Sequence, residues 1–112
     1  EIVQVTGGNG QKGKVYVMDH EGQNLPGFPK SYNDNWILTT AALSDLDGDK
    51  QLEIIFLERN SPSGNIHIIK NDGSPWSKDW PLRLPGTPAI TPSVADIDND
   101  GEKEIVVSST SV

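Results

Sequence analysis

The chain repeats itself. "GKVYVMDHEG" at 13–22 matches "GNIHIIKNDG" at 64–73 position by position, 51 residues further on. "EIVQV" (1–5), "EIIFL" (53–57) and "EIVVS" (104–108) are three versions of one segment, and "TAALSDLD" (40–47) matches "TPSVADID" (91–98). "PGFP" (26–29) corresponds to "KDWP" (78–81), each with an aromatic before a proline. No other feature restricts the fold so tightly, because stacked units of fixed period must bury their apolar faces against one another. The 112 residues read as one region. Repeat 1 covers about 1–52, repeat 2 about 53–103, and a third set of strands starts at 104–112.

Each period reads as four short strands. Val15 and Val17 alternate with Tyr16 and Met18, and Ile66 and Ile68 alternate with His67 and Ile69. "EIIFL" is apolar on successive residues, as a strand covered on both faces should be. Third strands are expected near 28–31 and 80–84, fourth strands at 40–44 and 91–95. No segment sustains a 3.6-residue period. Four-stranded antiparallel units at this spacing predict an all-β chain of two tandem propeller blades. A two-sheet sandwich is the alternative, but it requires no repeat.

Hydrophobic content of 34% with 11 Gly and 8 Pro fits many short elements between turns. No apolar run approaches the ~18 residues of a membrane helix, so membrane insertion is not expected. The chain starts at Glu1 without a charged-then-apolar leader, so any secretion signal is expected to lie outside it. With no cysteine there is no disulfide, thiolate metal site or cysteine nucleophile. The net charge of −7 argues against nucleic acid, which needs a basic footprint.

Nine of the 16 acids lie in two nine-residue windows, "DLDGDKQLE" (45–53) and "DIDNDGEKE" (96–104). Two like charges ~4 Å apart repel by roughly 4 kcal/mol at an effective dielectric near 20. Carboxylates gathered at one point would therefore open the loop unless a cation sat among them. Acids at the first, third and fifth positions let a tight turn aim alternate side chains inward. The seventh residue, Gln51 or Glu102, offers a backbone carbonyl, and the ninth acid closes the shell. An all-oxygen set of this kind suits Ca²⁺ better than Mg²⁺, which demands a strict octahedron and keeps its waters. The EF-hand is excluded, because its twelfth-position Glu is replaced by Phe56 and Val107 and a strand follows instead of a helix. Asp, Asn and Gly also populate ordinary turns; two copies in register, each ending Glu-Ile, favour the ion.

These windows, "SDLDGDKQLEII" and "ADIDNDGEKEIV", with the segment "VYVMDHEGQNLPGFP", resemble the FG-GAP repeats of the integrin α-subunit propeller and the related repeats of bacterial secreted proteins. The bacterial branch is the closer likeness, and it covers essentially the whole chain. The resemblance implies two Ca²⁺ sites: Asp45, Asp47, Asp49, Gln51 and Glu53 in one, and Asp96, Asp98, Asp100, Glu102 and Glu104 in the other. In the first loop glycine stands at position four (Gly48) and Lys50 at six, whereas the second has its glycine at six (Gly101).

His67 occupies the repeat position of Tyr16, so a strand-filling role is expected, and His20 sits in a turn as the counterpart of Asn71. "TGGNGQKG" (6–13) lacks the ending of a phosphate loop and reads as a hairpin turn, aligned with "RNSPSG" (59–64). No nucleophile-elbow or other catalytic spacing links Ser, His and Asp. Tyr32, Trp36 and Trp76 read as loop aromatics that either fill gaps between blades or stack on a protein or carbohydrate ligand. The expected function is a non-catalytic, calcium-binding module of a secreted or cell-surface protein, acting in adhesion or scaffolding. The alternative is an accessory segment of a secreted enzyme such as a polysaccharide lyase or peptidase. Two blades leave open edges and apolar faces, which implies a longer parent chain or self-association.

Overall fold

Glycine, proline and paired acids punctuate the chain into eleven strands, seen in a computed structural model that describes residues 1–8, 11–32, 36–60 and 62–110. They are β1 (Ile2–Gly8), β2 (Gln11–Met18), β3 (Lys30–Tyr32), β4 (Trp36–Ser44), β5 (Glu53–Asn60), β6 (Ser63–Ile69), β7 (Leu82–Leu84), β8 (Thr87–Pro88), β9 (Ser93–Ala95), β10 (Glu104–Val106) and β11 (Ser109–Thr110). No helix occurs among the described residues, so the chain is all-β. All strand pairs are antiparallel. β1-β2-β3 form a three-stranded sheet, β4-β5-β6-β7 a four-stranded one, and β9-β10 and β8-β11 form two pairs.

One four-stranded sheet therefore forms where the repeat pattern suggested two. The acidic loop is a hairpin, and a hairpin pairs the strands it joins, here Ser44 with Glu53 and Ala95 with Glu104. A repeat cut at Glu53 divides that hairpin. The hydrogen-bonded unit instead starts with the strand before the loop, which leaves β1-β2-β3 as the last three strands of one unit and β9-β10 as the first two of another. Strand limits shift for a simpler reason. Pro29, Pro81 and Pro92 have no amide to donate, so β3, β7 and β9 begin after them. Phe28–Pro29 and Trp80–Pro81, matched in sequence, are both cis.

The repeat survives in the register. Val3 faces Val17 and Val5 faces Val15 in the first sheet; Ile55 faces Ile68 and Leu57 faces Ile66 in the second. Isolated bridges recur too, Met18 with Asn24 and Ile69 with Pro75. The two turns read as hairpins are flanked by Gly8 paired with Gln11 and Asn60 paired with Ser63. Asn9, Gly10 and Ser61, between those pairs, lie outside the described residues.

β5 is buried on both sides, as its unbroken apolar run predicts. Ile54 and Phe56 join Val15, Val17, Phe28, Ile37 and Ile69 against the first sheet. Ile55 and Leu57 point the other way, with Ile66 and Ile68, toward Val94, Ile105 and Val107. Ile55, Phe56, Leu57 and Ile68 are essentially inaccessible to solvent, and each contributes about 1.5–3 kcal/mol of burial. The sheets approach closely at the turns. Gly27 has φ +91°, and a Cβ there would run into the Asp72 carbonyl. Lys30 Nζ donates to the Gly73 carbonyl beside it.

A polar group is enclosed between these sheets. His67 stacks on Phe56, centroids 4.8 Å apart and planes 2° from parallel, and Tyr32 meets both rings edge-on. His67 Nε2 lies 2.7 Å from Glu58 Oε2, which also accepts from Asn65 Nδ2 at 3.0 Å. His67 thus fills the strand face as its repeat position implied. Tyr32 and Trp36 lie in β3 and at the start of β4 rather than in loops; the Trp36 side chain is outside the described residues.

Candidate metal centres

The two acidic windows form the β4–β5 and β9–β10 connections, and both are shaped by bonds from backbone amides to the first, third and ninth acids. The ninth acid reaches back to the second amide: Leu46 N donates to Glu53 Oε2 at 2.7 Å, and Ile97 N to Glu104 Oε2 at 2.7 Å. The first acid gathers the amides at the tip. Asp45 accepts from Gly48 N at 2.7 Å and Lys50 N at 2.9 Å; Asp96 accepts from Asp100 N at 3.0 Å and Gly101 N at 2.9 Å. The third acid accepts from the fifth amide, Asp47 from Asp49 N and Asp98 from Asp100 N. Such acid-to-amide bonds are the local chemistry that Asp supplies in turns.

Positions four and six turn left-handed in both loops: Gly48 at φ 80° and Lys50 at 71°, Asn99 at 65° and Gly101 at 94°. The two loops therefore share one backbone path and differ in which of the two positions carries glycine.

Three carboxylates converge in each loop. Oxygens of Asp45, Asp47 and Glu53 lie within 4.8 Å of one another, as do those of Asp96, Asp98 and Glu104. Oxygens on opposite sides of one Ca²⁺ stand roughly 4.6–5.2 Å apart, so each trio fits a single ion of that kind. The donors are hard oxygens, with no nitrogen or sulfur ligand among them, which suits an alkaline-earth cation. Asp49 and Asp100 stand outside these trios, with Oδ1 accepting the Gln51 and Glu102 amides at 2.8 Å each. The Gln51 side chain accepts from Asn71 Nδ2 at 2.8 Å.

Electrostatics register the crowding. Burial pushes the Glu53 carboxyl above its usual range, and the charges of Asp47, Asp49 and Asp45 push it further, against the Leu46 amide. Asp47 is held below its usual range, chiefly by the Asp49 amide and also by Trp76.

Two contacts had no signal in the acidic pattern. Trp76 Nε1 makes a long bond, 3.4 Å, to Asp47 Oδ2. Lys103 Nζ, from the second loop, donates to Ser44 Oγ at 3.1 Å and to the Asp45 carbonyl at 3.3 Å. Both residues line a groove of about 850 Å³ between the loops, with Trp80 beside Trp76. The Trp rings also pack on Ile55, Leu57, Ile66 and Ile68, which makes them part of the inter-sheet filling. Their repeat counterparts, Leu25 and Phe28, do the same in the first cluster.

A family model described as FG-GAP-like repeat matches residues 45–107, from the first acid of one loop to the strand beyond the other. The chain belongs to the FG-GAP-like repeat family. Neither a curated protein nor a solved structure matches it. The match takes in both acidic loops and the four-stranded sheet from β5 onward. It leaves out β4, the strand that opens the four-stranded sheet. No helix of the described residues is long and apolar enough to cross a membrane.

Proposed function

We propose that this chain is a calcium-binding, non-catalytic β-propeller repeat module of an exported or cell-surface protein, serving adhesion or binding of a protein or carbohydrate. One observation carries the reading: the same trio of carboxylates, closed by the same bond from the ninth acid, occurs in two successive hairpins. The first, third and ninth acids of each loop supply carboxylate oxygens. Asp49, Asp100 and the Gln51 and Glu102 carbonyls complete the ligand set once the loop closes on the ion. Bound Ca²⁺ supplies the positive charge that offsets carboxylate repulsion and fixes each strand-to-strand connection, a structural role. The two blades are the four-stranded sheet with its acidic hairpin and the β1-β2-β3 sheet, with β9-β10 opening a third. The resemblance to integrin-type and bacterial repeats supports the extracellular setting, and the acidic surface disfavours nucleic acid. Exposed Ile2, Ile97 and Val106 mark faces for further repeats or a second copy.

Melting in chelator and in millimolar Ca²⁺ tests this. An ion that binds only the folded chain at ~100 times its Kd adds about 2.7 kcal/mol per site, a rise of roughly 10 °C for a chain of this size. The Asp47→Ala, Asp98→Ala double variant should lose the response. An unchanged melt of the parent chain would remove the calcium reading.

A further inference from the structure

We propose that Lys103 couples the two cation loops, so that filling one strengthens binding at the other; this rests on the calcium reading above. Lys103 is position eight of the second loop, where the first loop has Leu52. The ammonium is therefore a departure from the repeat, and its bonds are specific. It reaches Ser44, the last residue of β4, and the carbonyl of Asp45, the first acid of the other loop. Ser44 is buried, which gives the lysine a fixed anchor.

On its own side, Lys103 directly precedes Glu104, whose carboxylate both closes the second hairpin and belongs to its trio. An ion in that loop holds Glu104 and so fixes the base of the Lys103 side chain. A long flexible side chain held at its base loses less freedom on docking at Asp45. The first loop then closes from a partly ordered state, and its ion meets a smaller entropic cost. By linkage the effect is reciprocal, so an ion in the first loop favours the second equally. The ammonium charge itself opposes a cation near Asp45. Docking brings the ammonium closer, so this repulsion offsets part of the coupling, and the ordering of the first loop sets its sign.

Terbium(III), an oxygen-seeking stand-in for Ca²⁺, provides the readout, because the Trp76 ring beside Asp47 sensitises emission from the first site; emission that remains in Asp47→Ala comes from the second site and is subtracted. Terbium titrations, with calcium competition, are compared in the parent chain, Asp98→Asn, Lys103→Met and the double variant. Silencing the second loop with Asp98→Asn should weaken the first site about three-fold in the parent, the scale of an exposed charged contact. The same change should have no effect in the Lys103→Met background. Circular dichroism and melts in chelator establish that Lys103→Met folds. First-site affinity untouched by Asp98→Asn overturns the coupling and leaves two independent calcium sites; an Asp98→Asn effect that persists without the lysine overturns the role of Lys103 and leaves two sites coupled by another route. No binding of terbium or calcium by the parent overturns the calcium reading itself and the coupling with it.

Discussion

Glu53 Oε2 accepts the Leu46 amide at 2.7 Å, so one carboxylate both ties the first acidic hairpin shut and stands in its cluster of acids. The bond spans seven residues and fixes the depth to which the loop folds back. It also buries a charged group, with Glu53 only 3% exposed. That position makes Glu53 the carboxylate in the loop whose proton affinity burial raises.

Without metal, the Glu53 carboxyl titrates above its usual range because burial and three neighbouring Asp charges disfavour the anion. The folded chain then holds this proton more tightly than the unfolded chain does. The stability gained is full below the unfolded carboxyl pKa, about 4.3, and is lost as pH rises through the raised folded value. In chelator, Glu53→Gln should therefore flatten the slope of stability between those pH values, measured by urea titration. Calcium reverses the sign, since it needs the anion. The calcium-induced rise in melting temperature should shrink as pH falls into that window.

Lys50 occupies the left-handed position that Gly101 fills in the second loop. A side chain there strains the backbone by about 1 kcal/mol. In saturating calcium, Lys50→Gly should stabilise by about 0.5–1 kcal/mol, and Gly101→Ala should destabilise by about 1 kcal/mol. Denaturant midpoints at fixed calcium concentration check both, and equal signs for the two changes would contradict the shared loop path.

Ile55 and Phe56 are neighbours that point to opposite faces of β5, each into a dry cluster. Truncating either should cost about 3–4 kcal/mol. A sheet with one solvated face would tolerate one of the two. Unfolding free energies of Ile55→Ala and Phe56→Ala that differ by more than the side-chain volumes warrant would argue against double coverage.

The Tyr32 hydroxyl is buried without a hydrogen-bond partner among the described residues. Burial, then the Glu58 charge, hold its pKa well above the usual value. Removing an unsatisfied hydroxyl relieves a desolvation cost of about 1 kcal/mol, so Tyr32→Phe should raise the denaturation midpoint. A loss of more than 1 kcal/mol would show that the hydroxyl is bonded.

Much of this was legible in the sequence because the repeat writes the same physics twice. The period gave the all-β class, and the apolar run at 53–57 gave the doubly covered strand. The paired acids gave the two loops. The boundaries of the sheets were not legible, because a sequence repeat can be cut anywhere whereas the hairpin at Ser44–Glu53 cannot. Tyr32 and Trp36 read as loop residues because Asn33, Asp34 and Asn35 between them look like turn formers. The pairing of Tyr32 with Gly13 depends on a strand distant in the chain. Asp49 and Asp100 shared the alternate spacing of Asp47 and Asp98 and make the same bond to an amide two residues on, yet only Asp47 and Asp98 stand in the trios. Lys103 is one lysine among several in the sequence, and only the fold brings it across 58 residues to Asp45.

The double coverage of β5 bears on how such a chain can change its length. Because the face the first sheet turns to the second and the face the second turns to β9-β10 are built from repeat counterparts, tandem duplication would insert a layer that already fits both neighbours. Gene-level gain or loss of a unit then leaves every remaining contact with a familiar counterpart, and the number of layers can drift without redesign of the interior.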